Sequence, residues 1–423
     1  MLRTICTIFA FHFLSTFSIG QLLAEDLIGD NRKVEIPFKI NNGFITIDVQ
    51  FNRFFPLKMI FDTGAEHTLF FDKTLTDMLN IEYERQIKVV GSDLSIEMFA
   101  QIARSICITL PNDITVKRDI VVLEDDYLHF KENNGIKVDG ILGGEFFKGL
   151  VVVINYKKNR LELYNPDYYQ PDKKATRHDI SIEKHKPYIT ADYVSSGSEN
   201  IDTTKLKLLL DTGASITYLL FLQSDNSITI PEHTVAGNLG KGLGGDILGL
   251  VGKSRYIGID QYGFDEVITY YQNIDSTVMA LKKVNRSGLI GNVVLNRFDL
   301  VAIDYTNNYL YLRPGSNYNE DFKYDKSGIG MIAVGPHLNK YYVSTVLIDS
   351  PAYEAGIKPG DLIKKHGWWS TRWYSLESLT DRFSGDEGKK INLTIKRDDQ
   401  KLKKSFILRD LLENKKDNIR LHK

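Results

Sequence analysis

This chain contains one long sequence unit twice, and that constrains its fold more than any other feature. "LKMIFDTGAEHTLF" at 57–70 returns as "LKLLLDTGASITYL" at 206–219. Each copy runs Leu-Lys, three apolar residues, Asp-Thr-Gly-Ala, and then Thr three residues after the Ala. Asp62 and Asp211 stand 149 positions apart. A second pair follows, "GILGGEFFKGLVVVINYKKNRLELY" from 140 and "GLIGNVVLNRFDLVAIDYTNNYLYL" from 288. Here Tyr156 and Tyr305 are again 149 apart, while Gly143 and Gly291 are 148 apart, a slip of a single residue. A duplication of this length predicts two lobes related by an approximate twofold axis. Each lobe sets one aspartate inside an apolar run. Burying such a group alone is costly, so each copy is expected to supply the other's partner. At 423 residues the chain is longer than two such units require, leaving room for a further domain.

Two carboxyl groups in contact cannot both ionise cheaply, so the pair shares one proton over a broad pH range. The ionised member can take a proton from a water held between them, and the protonated member can donate to a carbonyl oxygen. That is the acid and base that hydrolysis of a peptide bond needs. Gly64 and Gly213 allow a sharp turn that aims N–H groups at the acids. Thr63 and Thr212 are expected to bind the opposite lobe's backbone. Ala65 and Ala214 bring no hydroxyl to hold an ionised acid, which raises the pH range in which the pair titrates. Glu66 is expected to face away from the pair. His67, matched by Ile216 in the second copy, is not expected to act as a base.

The tandem Asp-Thr-Gly-Ala loops, with "ILG" at 141–143 and "LIG" at 289–291, resemble the aspartic protease superfamily. The Gly-Ala form is similar to retroviral proteases, and the two-lobed single chain to pepsin. Together with the C-terminal segment described below, the chain resembles bacterial retropepsin-like aspartyl proteases that carry a PDZ domain. The resemblance implies a mainly β, two-lobed pepsin-like fold (a duplicated β unit) followed by a small α+β PDZ domain. It implies an aspartic endopeptidase with Asp62 and Asp211 as catalytic residues, protein or peptide substrates, no metal and no cofactor, in a monomer. A rival expectation is a catalytically inactive exported scaffold that binds peptides. Members of the superfamily cover the cleft with a mobile hairpin. Gly91 and Ser92 in "KVVGSDLSIEMFAQI" from 88 are the first-lobe candidates, and Gly242 and Gly244 in "GNLGKGLGGDILGLVG" from 237 are the second-lobe ones. The latter run satisfies G-x-G-x-x-G, but a dinucleotide loop needs a βαβ unit around it, and β-rich sequence continues here instead.

After Pro314 a polar, turn-rich stretch reads as a linker. Beyond it, "YYVSTVLIDSPAYEAGIKPGDLIKKHG" from 341 and "SLESLTDRF" at 375–383 carry the PDZ resemblance. It implies a peptide C-terminus bound by the backbone N–H groups of Gly328, Ile329, Gly330 and Met331. Trp368, Trp369 and Trp373 are expected to be packed in the core or at a domain interface, with an exposed recognition patch as the alternative, and the final residues to form a tail. At the N-terminus Arg3 precedes an apolar stretch from Ile5 to Ile19, then small and acidic residues. This is the layout of an export leader, short for a membrane anchor. Periplasmic or extracellular placement follows, with a membrane-tethered form as the alternative. If the leader is removed, Cys6 goes with it and Cys107 is the one cysteine left, read as core filler. A net charge of −1 gives no support for a nucleic-acid partner. The expected organisation is a leader at 1–24, lobes at 25–170 and 171–315, a PDZ domain at 322–412 and a tail at 413–423.

Overall fold

The structure, a computed structural model, describes residues 28–29, 31–90, 97–127, 129–196, 203–242, 245–281 and 283–413. The expected leader, Gly91, Ser92, Gly244 and all but the first residue of the tail lie outside the described residues. Among the described residues, no helix is long and apolar enough to cross a membrane.

The mainly β, two-lobed architecture is borne out. Each lobe is an eight-stranded sheet, and the two sheets have the same strand order. In the first, the order is Lys39–Asn41, Phe44–Phe51, Phe55–Phe61, Gly140–Leu142, Leu69–Phe70, Thr115–Leu123, Glu97–Thr109 and Tyr83–Val90. In the second, it is Ser181–Glu183, Lys186–Val194, Thr204–Asp211, Gly288–Gly291, Tyr218–Phe221, Tyr262–Gln272, Gly245–Ile259 and Val235–Gly242. Each sheet curls on itself, because Phe44–Phe51 also pairs with Glu97–Thr109, and Lys186–Val194 with Gly245–Ile259. The G-x-G-x-x-G run lies on the antiparallel hairpin Val235–Gly242 with Gly245–Ile259, not at a helix start.

A third, six-stranded sheet joins the lobes. Its centre is the antiparallel pair Val151–Asn155 and Phe298–Asp304, one strand from each half. In that register Val153 faces Ala302, its own counterpart 149 residues on, so the approximate twofold axis passes through this pair. All five residues of "VVVIN" are buried, as a continuous apolar strand covered on both faces requires.

The C-terminal domain packs the helix Leu376–Phe383 over a sheet ordered Ile329–Val334, Lys340–Val346, Leu362–His366, Lys390–Arg397, Gln400–Ile407. Ser375 caps the helix by accepting the Ser378 N–H at 3.0 Å, and Leu376, Leu379 and Phe383 turn inward. Ile329–Val334 is an edge strand with one neighbour. The stretch read as a linker is anchored to the second lobe: Arg297 donates to the Asn317 and Asp321 carbonyls at 2.7 and 3.0 Å, and Phe322 packs on Phe264. Lys253 pairs with Asp410 at 3.1 Å, tying the domain's far end to the same lobe. The tryptophans depart from expectation. Trp368, Trp369 and Trp373 are 94%, 69% and 85% exposed, because they follow a tight turn at Gly367 that faces solvent. Cys107 is half-buried and free.

Candidate active site

Each aspartate ends or follows a strand laid parallel to the short apolar-apolar-Gly element of its own lobe. Phe55–Phe61 runs beside Gly140–Leu142, and Thr204–Asp211 beside Gly288–Gly291. The loops that follow are pinned from below in matching ways. Gly144 N–H donates to Ala65 O at 2.8 Å, and Asn292 N–H to Ala214 O at 2.7 Å.

The two threonines then cross between lobes. Thr63 Oγ donates to Leu210 O at 2.6 Å and accepts from Thr212 N–H at 3.1 Å. Thr212 Oγ donates to Phe61 O at 2.8 Å and accepts from Thr63 N–H at 3.0 Å. Both side chains are fully buried. Four mutual bonds fix the loops against each other and bring the Asp62 and Asp211 carboxyls into hydrogen-bonding contact. The glycines are required by this approach. A Cβ on Gly64 would lie 2.4 Å from Asp211 Cγ, and one on Gly213 would lie 2.2 Å from Asp62 Cγ.

The pair is not symmetric. Asp62 Oδ1 accepts the Gly64 and Ala65 N–H groups at 2.7 and 3.1 Å, while Asp211 Oδ1 accepts the Gly213 N–H at 2.9 Å. Burial, then the charge on Asp211, push the Asp62 carboxyl well above the usual carboxylate range despite those two donors. Burial raises Asp211 as well, but the Arg286 and Lys186 cations and the hydrogen bond with Asp62 favour its charged form. Both carboxyls are raised, so the pair shares a single proton, and the arrangement offers one proton donor and one acceptor side by side.

The pair lies in a cleft of about 1420 Å³ between the lobes. Ile87, Lys88 and Val89, on one arm of the first-lobe hairpin, line it. Gly242 ends the first arm of the corresponding second-lobe hairpin. Glu66 also lines the cleft, contrary to the expectation that it faces away, and its carboxylate lies 3.6 Å from His67 Nε2. His67 hydrogen-bonds Glu145 at 2.6 Å on the exposed side of the loop.

The C-terminal domain closes one end of this cleft. Gly330 and Met331 of the edge strand and Leu376 and Thr380 of the helix line it. The carboxylate-binding role expected for the four residues 328–331 needs correction at two of them. Gly328 N–H is taken by Asp325 at 2.6 Å, and Ile329 N–H by Ser327 Oγ at 3.1 Å. Those donors are satisfied within the domain and are not free for a ligand.

Two cleft residues went unnoticed in the sequence, Lys186 and Arg286. Their signal is in the duplication. Position 138, Arg286's equivalent in the first copy, is the buried Val138. Strand register likewise aligns Lys186 with buried Phe44.

No family model matches the chain. Among curated proteins, a probable CtpA-like serine protease from Staphylococcus saprophyticus subsp. saprophyticus is 28% identical over 130 residues. That match covers 31% of this chain and 26% of the relative, so the chain spans about a quarter of that protein's length. Among solved structures, Basic 7S globulin from soybean aligns over 67% of this chain and 95% of its own, with 8% identity and a TM-score of 0.40. So distant a likeness carries no argument. The curated relative is named a serine protease, and that name contradicts the aspartic-type endopeptidase and aspartyl-protease class expected from the tandem loops. The expectation is corrected accordingly, and what the relative's name supports is protease activity in the broader sense.

Proposed function

We propose that this chain is a hydrolase of peptide bonds and that an extended peptide lies in the cleft between the lobes. Asp62 and Asp211, on the floor of that cleft, are then groups that meet the peptide. The observation that carries this reading is the contact between two carboxyl groups from opposite lobes on the floor of a cleft of about 1420 Å³. The protease name of the curated relative supports the reaction, though not these residues. The open edge of Ile329–Val334 offers main-chain groups to which a peptide can add as a strand, so the C-terminal domain is part of the proposal. Export by the N-terminal leader and action as a monomer complete it.

The relative's name favours a serine as the attacking group, with the carboxyl pair holding the peptide. Ser215 is a serine in the described cleft wall, but its hydroxyl donates to Asn42 O at 2.6 Å and would have to give up that bond. Incubation with unfolded proteins tests the proposal: cleavage is expected that weakens in Asp62→Asn and in Asp211→Asn, and inactivation by a serine-phosphonylating reagent would assign the attack to a serine. No cleavage by the wild type, or full cleavage by both variants, would refute it.

A further inference from the structure

The two lobes repeat each other closely at the site, so the places where they differ carry information. Two differences fall on the same wall. Where the first copy has Phe44 and Val138, both buried, the second has Lys186 and Arg286, and both cations line the cleft with Asp211.

Neither cation closes an ion pair among the described residues. Arg286 lies over the Phe221 ring at 5.4 Å, and its buried Nη1 has no hydrogen-bond partner. Lys186 is half-buried and feels Arg286 and Lys184 as like charges. Burial disfavours the charge on both side chains, and so does the repulsion of Arg286 on Lys186. The nearby anions are Glu66 and the carboxyl pair, which carries a single negative charge while it shares a proton. An unpaired, partly desolvated guanidinium beside a second cation is costly. A carboxylate placed between them relieves that cost, and a guanidinium suits it because its fork can meet both carboxylate oxygens.

We propose that Arg286 and Lys186 form a carboxylate-binding subsite beside Asp211, so that the favoured peptide presents a carboxylate to the second-lobe wall of the cleft. This rests on the reading of the cleft as a peptide site. The carboxylate can come from an acidic side chain or from the peptide's own C-terminus, and the test separates the two.

Three fluorescent peptides of one neutral sequence serve as probes: amidated, amidated with one internal Glu, and with a free C-terminus. Anisotropy gives their affinities for the full chain, and cleavage assays give KM and kcat. One acid-bearing peptide should bind about tenfold or more tighter than the neutral amide, the size expected of a charge-assisted contact. Which one does so identifies the source. The preference should fall to within about twofold in Arg286→Gln and return in part in Arg286→Lys, since lysine keeps the charge and loses the fork. Lys186→Gln, at the start of a strand and more tolerant of change, should weaken the same preference. Equal binding of all three peptides by the wild type would overturn the proposal, as would a preference that survives both glutamine variants. A shift in the pH profile for every peptide alike would overturn it too, assigning the cations to the carboxyl pair. If acid-bearing peptides bind preferentially but none is cut, the hydrolase reading fails and the subsite stands. If peptides are cut without preference, the reverse holds.

Discussion

Replacing Thr63 with valine keeps the shape of the side chain and removes its hydroxyl. That hydroxyl donates to Leu210 O at 2.6 Å and accepts from Thr212 N–H at 3.1 Å, in a position with no exposure to water. Valine strands one carbonyl and one N–H in the interior. Each orphaned group costs about 1–3 kcal/mol, so the substitution should cost roughly 2–6 kcal/mol. Against a typical total of about 5–15 kcal/mol, that is a large fraction of the stability of the two-lobed body. Calorimetry is the suitable assay, because it reads the loss directly as a lower transition of the two-lobed body. That transition should drop in Thr63→Val, and Thr63→Ser should restore it. Thr63→Val combined with Thr212→Val should cost less than the sum of the single changes, since both act on one network. A lobe transition within about 0.5 kcal/mol of wild type, the range of an ordinary surface change, would refute the crossed-threonine argument.

Gly213→Ala puts a methyl group 2.2 Å from Asp62 Cγ, so the carboxyls must separate; an overpacking loss of about 1–3 kcal/mol by calorimetry is expected, and an unchanged transition would contradict it. Stability should also fall as pH rises from the ordinary aspartate range toward the raised Asp62 value, because the unfolded chain gives up that proton first. The slope for one proton is at most about 1.4 kcal/mol per pH unit, and Asp62→Asn should flatten it and be the more stable protein at neutral pH. An undiminished slope in that variant would place the titration elsewhere.

The duplication was legible because it is written in residue order. Two Asp-Thr-Gly loops recur 149 positions apart and two apolar-apolar-Gly elements 148 apart, and in each lobe the two become a parallel strand contact. The C-terminal helix was legible for a local reason, with Ser375 as its cap and inward residues at helical spacing. What escaped depends on contacts that join distant parts of the chain. Glu66 lines the cleft, which nothing in the local run Asp-Thr-Gly-Ala-Glu-His announces. The Gly328 and Ile329 N–H groups look free in a glycine-rich turn until Asp325 and Ser327 fold beneath them. The polar run after Pro314 reads as a linker because its anchor, Arg297, belongs to another lobe. Trp368, Trp369 and Trp373 were expected to be packed because their size favours burial, but their turn points outward.

The most direct measurement is the titration of the Asp62 carboxyl, followed by NMR with carbon-labelled aspartate in the wild type and in Asp211→Asn. Contact between the two groups predicts that Asp62 titrates above its ordinary value of 3.8 and moves down when Asp211 loses its charge. An Asp62 that titrates at its ordinary value, and that the Asp211→Asn change does not move, would mean that the two lobes do not share a proton.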